Sequence, residues 1–505
     1  VNLDDPTDVL RVLYGEMVRR RPVIDHASRY YDGDHRLAFA SEKFLDAFGG
    51  LFGAFADNWC ALVVDAVEER LQVQGFRVGK EVEADSAAKK IWEENELDLQ
   101  SAMGHTDGLV AGAFYVTAWQ RGDAGSPDEK VPEITVESAA TAIVLAHPKM
   151  RRRRTAGLRV WTDEEGYEHA ELFRPDRVYL FRSRAKRTGA IVDPFRVQWI
   201  AETHADLAPK LDESSSMVNP LGKIPMVEFL NRPRLTLSRR VGWAAHSELS
   251  AVIPINDAAN KLLADMIVAS EFAAFPQRHV TGWEPDTDEE TDEIIEPNFR
   301  SGPGKTWWTE NHEAKFGAFP AVSVDQYVKA IELLVQHIAS VSSTPPHYLR
   351  ASADRLSGES LKSAETGLVA KVRRKQRHFG AGWEEVIRIA GEIAGNNELA
   401  NALQMETIWR DPETRTESEH VDAVAKKKDL DVPAEQLWEE LGYSPEQIAR
   451  FPAMRARNTL AGSAALAEIR NPQTPRPPAP GPRPPTAPVP APVPAAPAPP
   501  NPAEV

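Results

Sequence analysis

Apolar and small residues recur three to four positions apart between 250 and 275, at Ile255, Ala259, Leu262, Met266, Ile267, Ser270 and Ala273. This spacing predicts a helix with one apolar stripe. Pro254 stands where a first helical turn accepts it. A second stripe covers 324–341, with Tyr327, Val328, Ile331, Leu334, Val335 and Ile338 opposite a polar face of Asp325, Lys329, Glu332 and Gln336. The two predict an antiparallel pair joined by a long loop rich in Pro, Gly and Trp. Thr344-Pro345-Pro346 breaks the pattern, and the next proline is Pro412. The stretch 356–394 therefore predicts one helix of about 60 Å at 1.5 Å per residue. Nothing in that order of elements builds an active site.

Upstream, helical periodicity over 9–20, 41–55 and 59–71 gives way to a strand at 72–78. Asp57 or Asn58 is suited to cap the third of these helices. Between 109 and 200 the period shortens to two, and strands are expected at 113–120, 133–136, 141–145, 157–162, 168–173 and 177–182. Glu164-Glu165-Gly166 marks a hairpin turn, 202–219 reads as loop, and 220–229 as the last strand before the helix pair. Downstream, 433–441, 444–451 and 453–469 predict short helices, the second opened by Ser444-Pro445-Glu446-Gln447. From Asn471 the chain is dominated by Pro, Ala and Val, a composition that packs no core and is expected to be disordered. The fold class expected is α+β, mainly helical.

With 505 residues, 42% of them hydrophobic, the chain can bury a large core spread over several domains. Its one cysteine, Cys60, excludes an internal disulfide framework. The first residues carry Asp4, Asp5 and Asp8 and no basic segment, so no signal peptide is expected there. Val1 stands where an initiator Met belongs, which reads either as a non-AUG start or as missing preceding residues. The longest apolar run, at 108–119, falls short of the roughly 20 residues that span a bilayer, so no membrane is expected as a partner. A net charge of −16 argues against a protein that grips DNA, because such affinity comes from Lys and Arg displacing counterions. If a ring of such chains surrounded a duplex, the same charge would repel the phosphates and keep the DNA from sticking.

Candidate chemistry fails on inspection. Gly304-Lys305-Thr306 ends like a phosphate-binding P-loop, but Phe299 stands where the first glycine belongs. The acidic cluster from Asp286 to Glu296 begins like a calcium loop, yet its sixth position is Thr291 and its twelfth is Pro297. No histidine or cysteine spacing suggests a metal site, and no nucleophile elbow is present, so neither catalytic residue, metal nor cofactor is expected. Two basic runs remain, Arg151 to Arg154 on a turn and Lys371, Arg373, Arg374, Lys375 and Arg377 on the long helix. Their charge patterning favours solvent or subunit contacts over DNA.

Three blocks of residues resemble the portal proteins of tailed bacteriophages, in the branch common in siphophages of actinobacterial hosts. They are Tyr30-Tyr31-Asp32-Gly33-Asp34-His35-Arg36-Leu37 with Phe55-Ala56-Asp57-Asn58-Trp59-Cys60 and the run from Val63 to Leu71; the run from Pro254 to Asp265; and Thr344-Pro345-Pro346-His347-Tyr348-Leu349 with Ser357-Gly358-Glu359-Ser360-Leu361-Lys362. The resemblance implies a portal fold: a wing at 1–246 and again at 358–412, the latter holding a long kinked helix; stem helices at 247–274 and 322–342; a clip at 275–321; a tunnel loop at 343–357; a crown at 413–470; and a disordered tail at 471–505. It further implies a non-enzymatic homo-oligomer, a ring of twelve at one capsid vertex of the virion, assembled in the host cytoplasm and serving DNA packaging and ejection. The partners it implies are other copies of the chain, the terminase large subunit, a head-tail adaptor, the major capsid and scaffolding proteins, and double-stranded DNA passing without sequence specificity. On that reading Arg350, Ser352 and Arg355 touch DNA, and an exposed Trp307-Trp308 pair with Lys305 docks partners on the clip.

The alternative is another virion structural protein, a connector or minor capsid protein. Adaptors are usually much shorter and have no use for the helix, clip, helix, loop, long-helix order. A nucleic-acid-processing enzyme would require the complete P-loop and paired metal-binding carboxylates missing above.

Overall fold

A computed structural model describes residues 4–40, 42, 46, 56–79, 84–120, 130–147, 149–150, 153–187, 197–201, 216–234, 245–274, 278–283, 307, 312–319, 323–349, 358–413, 417–429, 432–443, 447–448 and 450–459. The chain divides into two units, Val1–Ile448 and Ala449–Val505. In the second, 450–459 is helical. Everything else below belongs to the first.

Helix α1 (Pro6–Tyr31) is much longer than its pattern predicts, because it continues through Pro22. An interior proline costs a helix about 3 kcal/mol. Here Leu13, Tyr14 and Met17 before it and Ile24, Ala27 and Tyr30 after it are all buried, so packing on both sides outweighs the lost hydrogen bond. Helix α2 (Trp59–Glu68) and strand β1 (Val73–Val78) follow as expected. Two helices then appear that periodicity does not announce, α3 (Ser86–Glu94) and α4 (Leu97–Ala111). The small residues of α4 explain its silence: a Cβ on Gly108 would meet the Phe114 ring at 2.7 Å, so the helix lies against the sheet through glycine rather than through an apolar stripe.

The β-rich region matches its alternation closely, except that Ser216–Val218, inside the expected loop 202–219, pairs as a strand and the strand expected at 220–229 begins only at Met226. Strands β2 (Ala113–Gln120), β3 (Pro132–Ser138), β4 (Ala142–Ala146), β5 (Arg154–Thr162), β6 (Glu168–Phe173), β7 (Arg177–Ser183), β8 (Trp199–Ala201), β9 (Ser216–Val218) and β10 (Met226–Leu230) form two antiparallel sheets. One has the order β10-β2-β3; the other runs β4-β5-β6-β7-β8, with β9 also on β7.

A 3₁₀ turn (Glu248–Ala251), capped by Ser247, leads into α5 (Ile253–Ala274). The ribbon of β11 (Arg278–Thr281) with β12 (Lys315–Ala318) separates α5 from α6 (Asp325–Ser342). The long helix α7 (Gly358–Ile393) has 36 residues, about 54 Å. Beyond it lie α8 (Asn397–Ala400), β13 (Met405–Trp409), α9 (Glu417–Lys428) and α10 (Ala434–Glu440). Strand β13 pairs antiparallel with β1, which ties the end of α7 to the N-terminal region.

The main core forms where α7 crosses the β10-β2-β3 sheet. Phe114 and Phe229 face each other across β2 and β10, and their rings stack at 4.3 Å. Trp383 and Phe379 of α7 close over them, fully buried. His105 of α4 stacks on Phe379 and accepts a 3.0 Å hydrogen bond from the Trp383 indole, and burial pushes its imidazole down to about 3. Among the described residues no helix is long and apolar enough to cross a membrane.

Candidate functional site

Helices α5 and α6 pack along one another, and at their common root the apolar pattern is interrupted by polar side chains. On α5 these are Asn256, Asp257 and Asn260, all buried. A buried polar group costs stability unless it is hydrogen-bonded, so the partners are informative.

The partners come from the first sequence block. Tyr30, at the end of α1, donates its hydroxyl to Asp257 at 2.8 Å, and its ring stacks on His35 at 4.3 Å. The Asn256 amide nitrogen lies 3.2 Å from His35 Nε2, which suits a neutral imidazole accepting from it; burial lowers the His35 pKa. Asn256 Oδ1 accepts from the Trp59 amide at 3.3 Å. Asn260 grips one residue from both sides, accepting from the Asp57 amide at 2.6 Å and donating to the Asp57 carbonyl at 2.9 Å. Asn58 caps α2 by accepting from the Ala61 amide and also donates to the Tyr31 carbonyl at 2.7 Å. The entry to α2 is thus built by α5. Cys60 sits beneath, its thiol pushed up to about 12 by burial and then by the nearby Asp257 charge.

The third block docks on the far end of α2. Arg70 donates to the Tyr348 hydroxyl at 2.6 Å and lies 3.8 Å from Glu365 of α7. Its guanidinium also sits over the Tyr348 ring. His347 is 3.7 Å from the same carboxylate. The segment that opens with Pro345-Pro346 is therefore pinned as a 3₁₀ turn (Pro346–Tyr348) between α2 and α7.

A buried ion cluster joins the helix pair to the long helix. Lys371 of α7 lies 2.8 Å from Glu248, before α5, and donates to the Ser342 carbonyl, at the end of α6, at 2.9 Å. One ammonium touching both ends shows that α5 and α6 run antiparallel. Lys375 contacts Glu248 at 2.5 Å and donates to Asn231, whose amide also reaches the His246 carbonyl and Glu248. Burial alone would raise the Glu248 carboxyl, but Lys371 and Lys375 hold it down at about 2. Burial brings the Lys375 ammonium to about 8 against the pull of Glu248. Glu248 is therefore ionised at neutral pH, and Lys375 keeps most of its charge there.

Beside this cluster opens a cavity of about 370 Å³. Lys371 and Lys375 form its inner wall, while Arg232, Arg234 and Arg374 line its exposed mouth. Arg232 and Ser343, both on its rim, hold left-handed backbone conformations, φ +47° and +55°, that L-residues other than Asn and Asp rarely adopt.

Of the residues expected to act, Arg350, Ser352, Arg355, Lys305 and Trp308 lie outside the described residues, as do the acidic cluster at 286–296 and Gly304-Lys305-Thr306. Trp307 is half-buried rather than exposed: its ring meets Phe316 edge-on at 6.3 Å and carries the Arg278 guanidinium, so it packs on the β11-β12 ribbon. The basic run on α7 also differs from expectation. Lys371 and Lys375 point inward to Glu248, and Arg373 pairs with Glu413 at 2.5 Å. Of the other run, Arg154 is paired with Glu385 of α7. Arg373, Arg374 and Arg377 of the α7 run stay exposed, as the solvent reading expects, and only Lys371 and Lys375 depart from it.

The sequence comparisons agree with one another. The sequence family described as "Phage portal protein, SPP1 Gp6-like" matches residues 11–443. A protein named "Portal protein" from Mycobacterium phage D29 is 30% identical over 436 residues, covering 82% of this chain and 83% of that one. One of the same name from Mycobacterium phage L5 is 31% identical over 439 residues, covering 83% of each. Among solved structures, a chain from "Neck of native GTA particle computed with C12 symmetry" aligns with a TM-score of 0.40 at 10% identity, over 81% of this chain and 95% of that one.

Proposed function

The chain belongs to the SPP1 Gp6-like family of phage portal proteins, and on that premise we propose that it assembles into a ring of twelve copies at one capsid vertex, forming the conduit for DNA packaging and ejection. The observation that carries this reading is the helix pair itself. Leu333 and Val341 on α6 are 50 to 52% exposed and turned away from the buried stripe of Val335, Ile338 and Ala339, and Val328, on that stripe, is still 44% exposed. Small residues along α5, Ala258, Ala264 and Ala269, permit a close helix neighbour. A helix pair with apolar residues on an uncovered face is completed by another copy of itself, and repetition of one such contact closes a ring.

In this reading 1–246 and 358–412 form the wing, α5 and α6 the stem, 275–321 the clip, 343–357 the tunnel loop and 413–470 the crown. The terminase large subunit and a head-tail adaptor dock at the clip, where Trp307, Trp308 and Lys305 belong, and the wing and crown face capsid and scaffolding proteins. Arg350, Ser352 and Arg355 are the residues assigned contact with the duplex. The acidic chain supports passage rather than capture, since a ring of net negative subunits repels phosphates except where cations are concentrated. No nucleotide turnover is assigned to the chain. Negative-stain imaging with light scattering on the purified protein tests the proposal: rings with a central hole are expected, and a monomer at high concentration would overturn it.

A further inference from the structure

The cavity at the root of the helix pair has a chemistry that ring assembly alone does not require. Five cationic side chains line it against a single carboxylate, Glu248. That carboxylate is already engaged by Lys371 and Lys375. Among the described residues Arg232, Arg234 and Arg374 have no carboxylate partner, so three exposed arginines line one opening in a chain whose net charge is −16. Like charges gather in this way only where something else compensates their repulsion. The rim is built at a conformational cost as well, since Arg232 is held left-handed.

The size and donor set narrow the compensating group. About 370 Å³ lies at the small end of the range for ligand pockets, roughly 300–1,000 Å³. One carboxylate satisfies one guanidinium fork, whereas a phosphate presents several peripheral oxygens to several donors at once. The Lys371 and Lys375 ammoniums behind the arginines add positive potential without needing to contact the ligand. We propose that this cavity is a phosphate-binding site, with Arg232, Arg234 and Arg374 as the contacting residues and Lys371 and Lys375 as the charged floor. The phosphate is either a free anion or the phosphodiester of a polynucleotide; the second source rests on the conduit reading above, and the first does not.

The test uses the full chain, with its ring state checked by negative stain on each sample. Inorganic phosphate is titrated by calorimetry, and a 30-base-pair duplex of about neutral composition by fluorescence anisotropy, against wild type and the double variant Arg234→Gln, Arg374→Gln. Both residues are exposed, so folding is expected to survive; an unchanged thermal midpoint verifies it. Saturable phosphate binding weakened at least about tenfold in the variant supports the site. Phosphate that also competes with the duplex in wild type, but not in the variant, assigns the polynucleotide source; phosphate binding without duplex binding assigns the free anion. Absence of saturable binding of either probe overturns the proposal, as does binding that the variant leaves intact. If the variant loses its ring while wild type binds neither probe, the cavity holds a carboxylate of a second copy and the proposal is wrong, though the conduit reading stands.

Discussion

Replacing Glu248 by Gln should be among the most damaging changes of near-constant shape in the described structure. The glutamine keeps the volume and the Asn231 contact but leaves Lys371 and Lys375 facing each other without a counter-charge. Two independent routes give the size of the loss. Glu248 is 4% exposed and its carboxyl lies at about 2 against an ordinary 4.5, which by linkage corresponds to about 3 kcal/mol of stability. Breaking a buried ion pair by removing one partner costs about 3–5 kcal/mol. The sign of the pH dependence follows from the depressed pKa. The contribution is complete above about pH 4.5 and is lost as the pH falls toward 2. Urea unfolding at pH 7 should therefore show Glu248→Gln destabilised by about 3 kcal/mol, and at pH 3 the gap should shrink to about half. Adding Lys375→Met, which removes one stranded charge, should recover a large part of the loss. A gap below about 0.5 kcal/mol at pH 7, or one that does not change with pH, would refute the assignment of Glu248 as the anchor of the cluster.

Three further outcomes are expected. Asn260→Ala should cost about 1–3 kcal/mol, because the Asp57 amide and carbonyl lose their buried partner, and hydrogen exchange should rise first at residues 57–61; unchanged protection there would contradict the bracing of α2 by α5. Gly382→Ala places a Cβ 2.5 Å from the Phe229 ring and should destabilise by about 1–3 kcal/mol in thermal melts, whereas a neutral effect would mean that the contact between α7 and the sheet yields easily. Cys60, buried and with its thiol at about 12, should resist alkylation at pH 8 in the folded protein and react on denaturation; rapid native labelling would place it at the surface.

The order of elements was legible because long amphipathic stripes and proline punctuation are local signals. The helix pair, the break at Pro345-Pro346 and the long helix all follow from them, and so do most strands of the β-rich region. What escaped depends on partners far along the chain. The helical periodicity read over 9–20 stops short of Pro22, yet burial of Ile24, Ala27 and Tyr30 carries α1 to Tyr31. The basic run of α7 read as a solvated face, but Lys375 falls in the series Leu368, Val372, Lys375, Phe379, Trp383, three to four apart on the buried side. A lysine in an apolar register is the signal that would have found the ion cluster; its partner Glu248, more than a hundred residues away, carries no local mark. The resemblance blocks were visible as strings, and the structure brings parts of all three into contact through Tyr30 with Asp257, Asp57 with Asn260, and Arg70 with Tyr348. No periodicity could state that they meet.

Helix α7 is fastened at two places of opposite character. Near its beginning, Glu365, Lys371 and Lys375 hold the turns and helix ends at the root of the pair through charge; about 12 Å further along, Phe379 and Trp383 are wedged into the aromatic core. A rod clamped in this way behaves as a strut. Leu368 and Val372 are fully buried between the charged contacts, so close packing that does not yield to small changes of angle runs from the root of the pair into the aromatic core. A tilt of α5 and α6 would then be carried along α7 to the sheet rather than absorbed at Glu248.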